Sequence, residues 1–219
     1  RTATSRWKVE DLARQDTKYD LLATQLQTHF KGEKVVLFST FKPTLNYLEG
    51  RLRADGFVST LIHGEIPDRD ACLAEFRAND DIQILLSSEV GSEGLDLQFC
   101  KVLMNYDLPW NPMKVEQRIG RIDRFGQQSP YVEIRNFIHA NTIDEHIWDR
   151  LYHRLQLCEQ ALGGFEDILG EQVRELEKYL AQDLSEDEKI QQIEQTSLAL
   201  QNNRLNKDAL EQDAAGLIA

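Results

Sequence analysis

Cysteine, proline and methionine are scarce in this chain of 219 residues, at three, five and two residues. The cysteines (Cys72, Cys100 and Cys158) are widely spaced and form no CxxC pair. They indicate neither a disulfide framework nor a zinc site and read as buried thiols in a reducing compartment. Long apolar runs are missing too. The longest, such as Lys34–Phe38 and Ile84–Leu86, fall far short of the roughly 20 residues of a membrane span. Arg1 is followed by no basic-then-apolar signal segment, and the chain reads as a piece of a longer cytoplasmic protein. A surplus of positive charge is also absent, the net charge being −12. Residues 1–30 hold 5 basic and 4 acidic side chains, residues 31–130 hold 12 and 15, and residues 131–219 hold 8 and 18. Bulk charge therefore cannot attract nucleic acid, and any DNA contact needs a local patch in the first two thirds. Finally, no G-x-x-x-x-G-K-[ST] loop is present, and no acidic D-E-x-x pair follows a strand.

What remains is an ordinary globular mixture, 41% hydrophobic and 28% charged, long enough for one or two domains. Apolar positions Tyr19, Leu22, Leu26 and Phe30 predict a helix over 17–30, ending at Lys31-Gly32. Short β-branched or apolar runs predict strands at 34–39, 59–63, 82–87, 101–106 and 131–137. Helical patterns fill 43–54, 67–78 and 113–121, with Pro43 near the first turn of one and Pro67 near the start of the next. Strands alternating with helices predict an α/β fold: a parallel sheet with helices on both faces. After Asn141 the strand pattern stops. Residues 142–162 predict one long helix broken at Gly163-Gly164, and the acidic 165–219 predicts a C-terminal helical extension.

Open parallel sheets bind ligands at the carboxyl ends of their strands, which here means loops near 39–43, 63–67, 87–97, 106–112 and 117–127. In Leu85–Leu97 a buried strand runs into Ser87, Ser88, Gly91 and Gly94, residues that let backbone approach a phosphate, with Asp96 placed for a ribose hydroxyl or metal-bound water. The same pattern also describes a glycine-containing loop with a capping aspartate. Arg118, Arg121 and Arg124 recur every three residues, an array suited to a polyphosphate, or to a salt-bridged face with Glu116 and Asp123. Trp110, in the Pro-flanked Asp107–Pro112 loop, is placed to stack on a base or to staple the loop to the core. His63 and Ser39 stand at strand ends, where backbone hydrogen bonding is the ordinary role.

The order of Val35–Ser39, His63-Gly64, Ser87…Gly91…Gly94…Asp96 and Gln117-x-x-Gly-Arg121-x-x-Arg124 resembles the second, C-terminal RecA-like lobe of superfamily-two helicases. The Asp107–Pro112 loop and the ending Arg124–Gln127 are similar to the Swi/Snf branch of double-stranded-DNA translocases. Ser88–Gly94 together with Glu116–Arg124 looks like its bacterial RapA (HepA) type, which associates with RNA polymerase. The resemblance covers residues 17–160. It implies a linker at 1–16, the helicase C-terminal lobe at 17–140, a brace-type helix at 141–164 and an acidic extension at 165–219. It implies that Arg121 and Arg124 reach across an interlobe cleft to ATP, Arg124 as the finger, with Gln117 helping to position the cleft. Gly94 and Asp96 fall near the ribose and metal-bound water. Ser39, His63, Gly64, Ser87, Ser88 and Trp110 fall along the nucleic-acid track.

ATP and Mg²⁺ would be bound mainly by a first lobe that supplies the phosphate loop, so this chain holds half of an ATPase site and is expected to be inactive alone. No metal ligand set is assigned to this chain. The implied partners are double-stranded DNA, the first lobe and RNA polymerase, with no membrane. Glu89 stands where many Swi/Snf proteins carry Lys or Arg, and Asp96 where that branch often has Asn. Two other readings stay open: a non-enzymatic scaffold with a helicase-like lobe, and an RNA helicase lobe.

Overall fold

The computed structural model describes residues 16–149, 174–176 and 178–199. Five strands form one sheet: β1 (Val35–Phe38), β2 (Ser59–Ile62), β3 (Ile84–Ser87), β4 (Val102–Asn105) and β5 (Glu133–Asn136). All neighbouring pairs are parallel, in the order β2-β3-β1-β4-β5. The predicted strands are all present, each trimmed by a residue or two at one or both ends. The helices of this part are α1 (Thr17–Thr28), α2 (Lys42–Ala54), α3 (Arg69–Ala78), the single turn α4 (Glu89–Ser92), α5 (Pro112–Ile119) and α6 (Ile143–Ile147). Residues 186–199 are helical as well.

Two expectations needed correction here. Pro67 does not open α3. Asp68 caps it instead, its carboxylate accepting from the Ala71 N–H at 2.9 Å, so proline lies outside the helix. The helix predicted over 113–121 stops at Ile119, before Gly120, whose N–H donates to the Glu116 carbonyl at 2.8 Å. The expected linker falls outside the described residues up to position 15. So does the brace-type helix beyond 149, and so does the acidic extension except 174–176 and 178–199.

The chain divides into two compact units, Arg1–Asp107 with Arg121–Phe137, and Leu108–Gly120 with Ile138–Ala219. In the first unit the pleat sorts alternate strand residues into two cores. Val35, Leu37, Ile84, Leu86, Val102 and Met104 face α1 and α2, meeting Leu22, Leu26, Leu45, Leu48 and Leu52. Val36, Phe38, Leu85 and Leu103 face the other way, toward Phe76 of α3 and toward Leu95, Leu97, Cys100 and Ile122. Helices thus cover one face, and a helix plus two anchored loops cover the other. Strands buried on both faces read as continuous apolar runs, which is why β1, β3 and β4 are fully buried.

The strand ends are level. Phe38 pairs with Ser87 and with Asn105, Ile62 pairs with Ser87, and Asn105 pairs with Asn136. One row therefore carries the first loop residue of every strand. The connections leaving β1 and β4 depart to opposite sides, so the crevice of the sheet opens between these two strands.

Candidate functional site

The loops at that row are braced by their own polar side chains. Ser39 is fully buried; its hydroxyl donates to the Asp107 carboxylate, and the Thr40 N–H donates to Asp107 Oδ1 at 2.7 Å. Asp107 follows β4, so this clamp spans the crevice between β1 and β4. Its role was not legible in advance. A charged residue ending a buried strand was the available signal.

Ser87 is also fully buried, and its hydroxyl donates to the Ser88 carbonyl at 3.1 Å. Ser88 caps α4, accepting from the Gly91 N–H at 3.0 Å, while its own N–H extends the β2–β3 pairing to the Ile62 carbonyl at 3.2 Å. Ser39 and Ser87, expected along a nucleic-acid track, are internal supports of their loops. The surface there passes to exposed Thr40 and Phe41.

At Gly91 a Cβ would lie 2.4 Å from the Ile62 carbonyl oxygen and 2.7 Å from His63 Cα. The close approach seen here is that of α4 to the end of β2. Gly64 is looser, with Val90 Cγ1 at 3.0 Å from such a Cβ. His63 takes the ordinary role, its Nδ1 accepting from the Glu65 N–H at 3.2 Å. Arg69 Nη1 donates to the Val90 carbonyl at 2.9 Å and to the Gly91 carbonyl at 3.4 Å, tying α3 to α4.

The second group of residues converges on the α3 side. Leu95 and Leu97 point into the core and leave exposed Asp96 between them, preceded by exposed Gly94 at φ +81° with open space around it. Ile122 enters the same core and leaves half-buried Arg121 before it and exposed Arg124 after it. The Leu97 N–H donates to the Arg121 carbonyl at 3.2 Å, stitching the two segments together. Gln127 closes the arginine turn, its Nε2 donating to the carbonyls of Cys100 at 2.8 Å and Ile122 at 2.9 Å. Gly126, at φ +100°, sits where a Cβ would lie 2.8 Å from Gln98 Oε1, and Gln98 itself donates its N–H to Asp96 Oδ1 at 3.3 Å. Asp96, Arg121 and Arg124 are thus displayed from one braced double loop. Burial pushes the Cys100 thiol up to about 12, which keeps it protonated and unreactive.

The three arginines, expected along a helical face and the turn leaving it, do not form one exposed array. Arg118 lies within α5 and is 2% exposed, whereas Arg121 and Arg124 lie past the helix end. Gln117 is exposed on α5, and Trp110, half-buried, precedes it; both belong to the second unit. Burial raises the Glu116 carboxyl of the same helix above its ordinary range. Among the described residues no group of three or more His, Cys, Asp or Glu side chains could hold a metal ion, and no helix is long and apolar enough to cross a membrane.

Residues 17–126 match the family model described as the helicase conserved C-terminal domain. The chain belongs to this helicase family. A Bacillus subtilis (strain 168) protein named uncharacterized ATP-dependent helicase YqhH is 41% identical to the lobe over 151 residues, 68% of this chain and 27% of that protein. The RNA polymerase-associated protein RapA of Photobacterium profundum is 43% identical over 117 residues, 52% of this chain and 12% of that protein. The lobe thus spans a minor part of either relative. In fold it is similar to the crystal structure of the C-terminal part of the Fun30 ATPase domain, with a TM-score of 0.60 at 24% identity over 87% of this chain and 57% of that one. The sheet is therefore that of a RecA-like α/β lobe, and the resemblance to C-terminal lobes of Swi/Snf-type helicases holds.

Proposed function

We propose that this chain is the second motor lobe of an ATP-dependent double-stranded-DNA translocase, inactive by itself. The observation that carries the reading is the braced double loop, which presents Asp96, Arg121 and Arg124 from one rigid core through Leu95, Leu97 and Ile122. Guanidiniums exposed or half-exposed on a fixed turn suit a polyphosphate, since each presents planar paired donors. A scaffold without chemistry has no use for such a pair.

In this reading ATP, with its Mg²⁺, binds mainly to the first lobe. The residues present here fit the phosphate tail and the ribose side, not the metal. Arg124 is the finger, Arg121 supports it, Gln117 helps to position the cleft, and Gly94 and Asp96 line the ribose side. Fingers of this type are worth about 10³–10⁵ in rate, or roughly 4–7 kcal/mol of barrier. Closing and opening of the lobes moves two nucleic-acid grips relative to each other.

The grip on this lobe is the strand-end row. Ser39, Ser87 and Ser88 hold its loops, and His63 and Gly64 shape the turn after β2; Trp110 of the second unit is a nucleic-acid contact of its own in this reading. Contacts to the backbone rather than to bases make movement sequence-tolerant. The working division is a linker at 1–16, the lobe at 17–140, a brace at 141–164 and an acidic extension at 165–219. RNA polymerase is a candidate partner because one relative carries that association in its name. The cytoplasm is the proposed compartment.

The test compares duplex DNA, single-stranded DNA and RNA as stimulators of ATP turnover by the longer protein that contains this chain. Strongest stimulation by duplex DNA supports the reading. Preferential stimulation by RNA replaces it with an RNA helicase.

A further inference from the structure

Two charged residues of the strand-end row are paired in a way the assigned roles do not explain. Lys42 opens α2, three residues after Ser39. Glu65 follows His63-Gly64 in the turn after β2. The Lys42 Nζ donates to Glu65 Oε2. The strand order places β3 between β1 and β2, so this ion pair links the loops of two strands that do not touch, across the end that carries Ser88.

We propose that Lys42 is a phosphate contact of the nucleic-acid track, and that Glu65 occupies it in the free lobe as an internal stand-in for a backbone phosphate. The inference rests on the duplex-DNA reading above.

Four observations support it. First, the pair is open to solvent, its side chains being 42% and 75% exposed, so it is held weakly and a ligand can reach it. Second, Glu65 is presented, not adrift. Its N–H donates to His63 Nδ1 at 3.2 Å, and the Ile66 N–H donates to the His63 carbonyl at 3.0 Å, closing the turn. Third, the Lys42 ammonium, through its hydrogen bond and its charge, holds the Glu65 carboxyl below its ordinary range, so the stand-in stays anionic at neutral pH. A carboxylate and a phosphodiester both carry one negative charge, which makes the exchange charge-neutral at Lys42. Fourth, Arg69, the cation in the first turn of α3, is committed elsewhere: it serves the α4 carbonyls. With residues 31–130 carrying more acidic than basic side chains, a releasable lysine at the track has a large share in any attraction to DNA.

The experiment measures binding of the longer protein to a labelled DNA duplex as salt is varied, for wild type, E65Q, K42A, K42R and the K42A/E65Q double variant. Removing one phosphate contact lowers the slope of log affinity against log salt by about 0.9, so K42A is expected to do this and K42R to restore it. Releasing Lys42 is expected to tighten binding about two- to fivefold in E65Q, the range of an exposed pair. That gain is expected to vanish in the double variant, because Glu65 acts through Lys42. A gain that persists without Lys42, no gain in E65Q, or an unchanged slope in K42A overturns the inference while leaving the motor reading in place. Absence of duplex binding by wild type overturns both.

Discussion

At Gly91 a single added methyl group would strain the packing of the strand-end row. Its Cβ would meet backbone atoms of Ile62 and His63, which cannot swing aside as a side chain could. Gly91→Ala is therefore expected to destabilise the lobe by about 1–3 kcal/mol, the usual range of overpacking. Gly94→Ala meets no neighbour but forces alanine to φ +81°, at a cost of about 1–2 kcal/mol. Denaturant unfolding measures these costs, and amide hydrogen exchange separates the two variants by place. The Gly91 variant is expected to lose amide protection around α4 and β2, and the Gly94 variant to lose it near Asp96. Equal protection of α4 in both variants contradicts the packing role. Both glycines stood out in the sequence beside Ser87 and Ser88, yet residue type alone cannot say whether a close approach is to a ligand or to the chain's own backbone. The same limit applied to Arg118: spacing every three residues defines a face but not which part of it is covered.

Among the elements, the strands were legible because burial on both faces leaves no polar positions to blur the run. Helix α4 was not, since four residues show no period, and its signals are a capping Ser88 and the close-packed Gly91. The start of α1 shows what local pattern leaves out. Asp16 caps the helix through Oδ1, accepting from the Tyr19 N–H at 2.9 Å, while Oδ2 accepts from the Tyr47 hydroxyl at 2.8 Å. Arg51 Nη1 donates to the Tyr47 oxygen at 2.8 Å and its guanidinium lies 4.1 Å from the Tyr19 ring centre. Three elements, α1, α2 and β4 through Tyr106, meet at this knot, and such a meeting depends on strand order, which sequence spacing does not encode. Burial first, then the Asp16 hydrogen bond and charge, push the Tyr47 phenol up to about 12 from its ordinary 10.0. The phenol therefore ionises in the unfolded chain before it does in the folded one. Its contribution is present in full below pH 10 and is lost as pH rises toward 12. Melting curves between pH 9 and about 12 are expected to show a steeper alkaline loss for wild type than for Tyr47→Phe. Parallel losses contradict the knot.

For the whole molecule, the strongest sequence signals were the ordered loops at strand carboxyl ends, because ligand sites in open α/β sheets are fixed by topology. The clamp of Asp107 on Ser39 and Thr40 and the pairing of Lys42 with Glu65 stayed hidden, since each joins residues from different strand ends. With labour divided between two lobes, the purified 219-residue chain is expected to show no ATP turnover. The central claim is that Arg124 completes an ATPase site supplied mainly from elsewhere. The most direct test is ATP turnover by the longer protein with and without duplex DNA, for wild type and Arg124→Ala. DNA-stimulated turnover is expected to fall by about 10³-fold or more in the variant with folding intact. Turnover indifferent to both DNA and the substitution would contradict that claim.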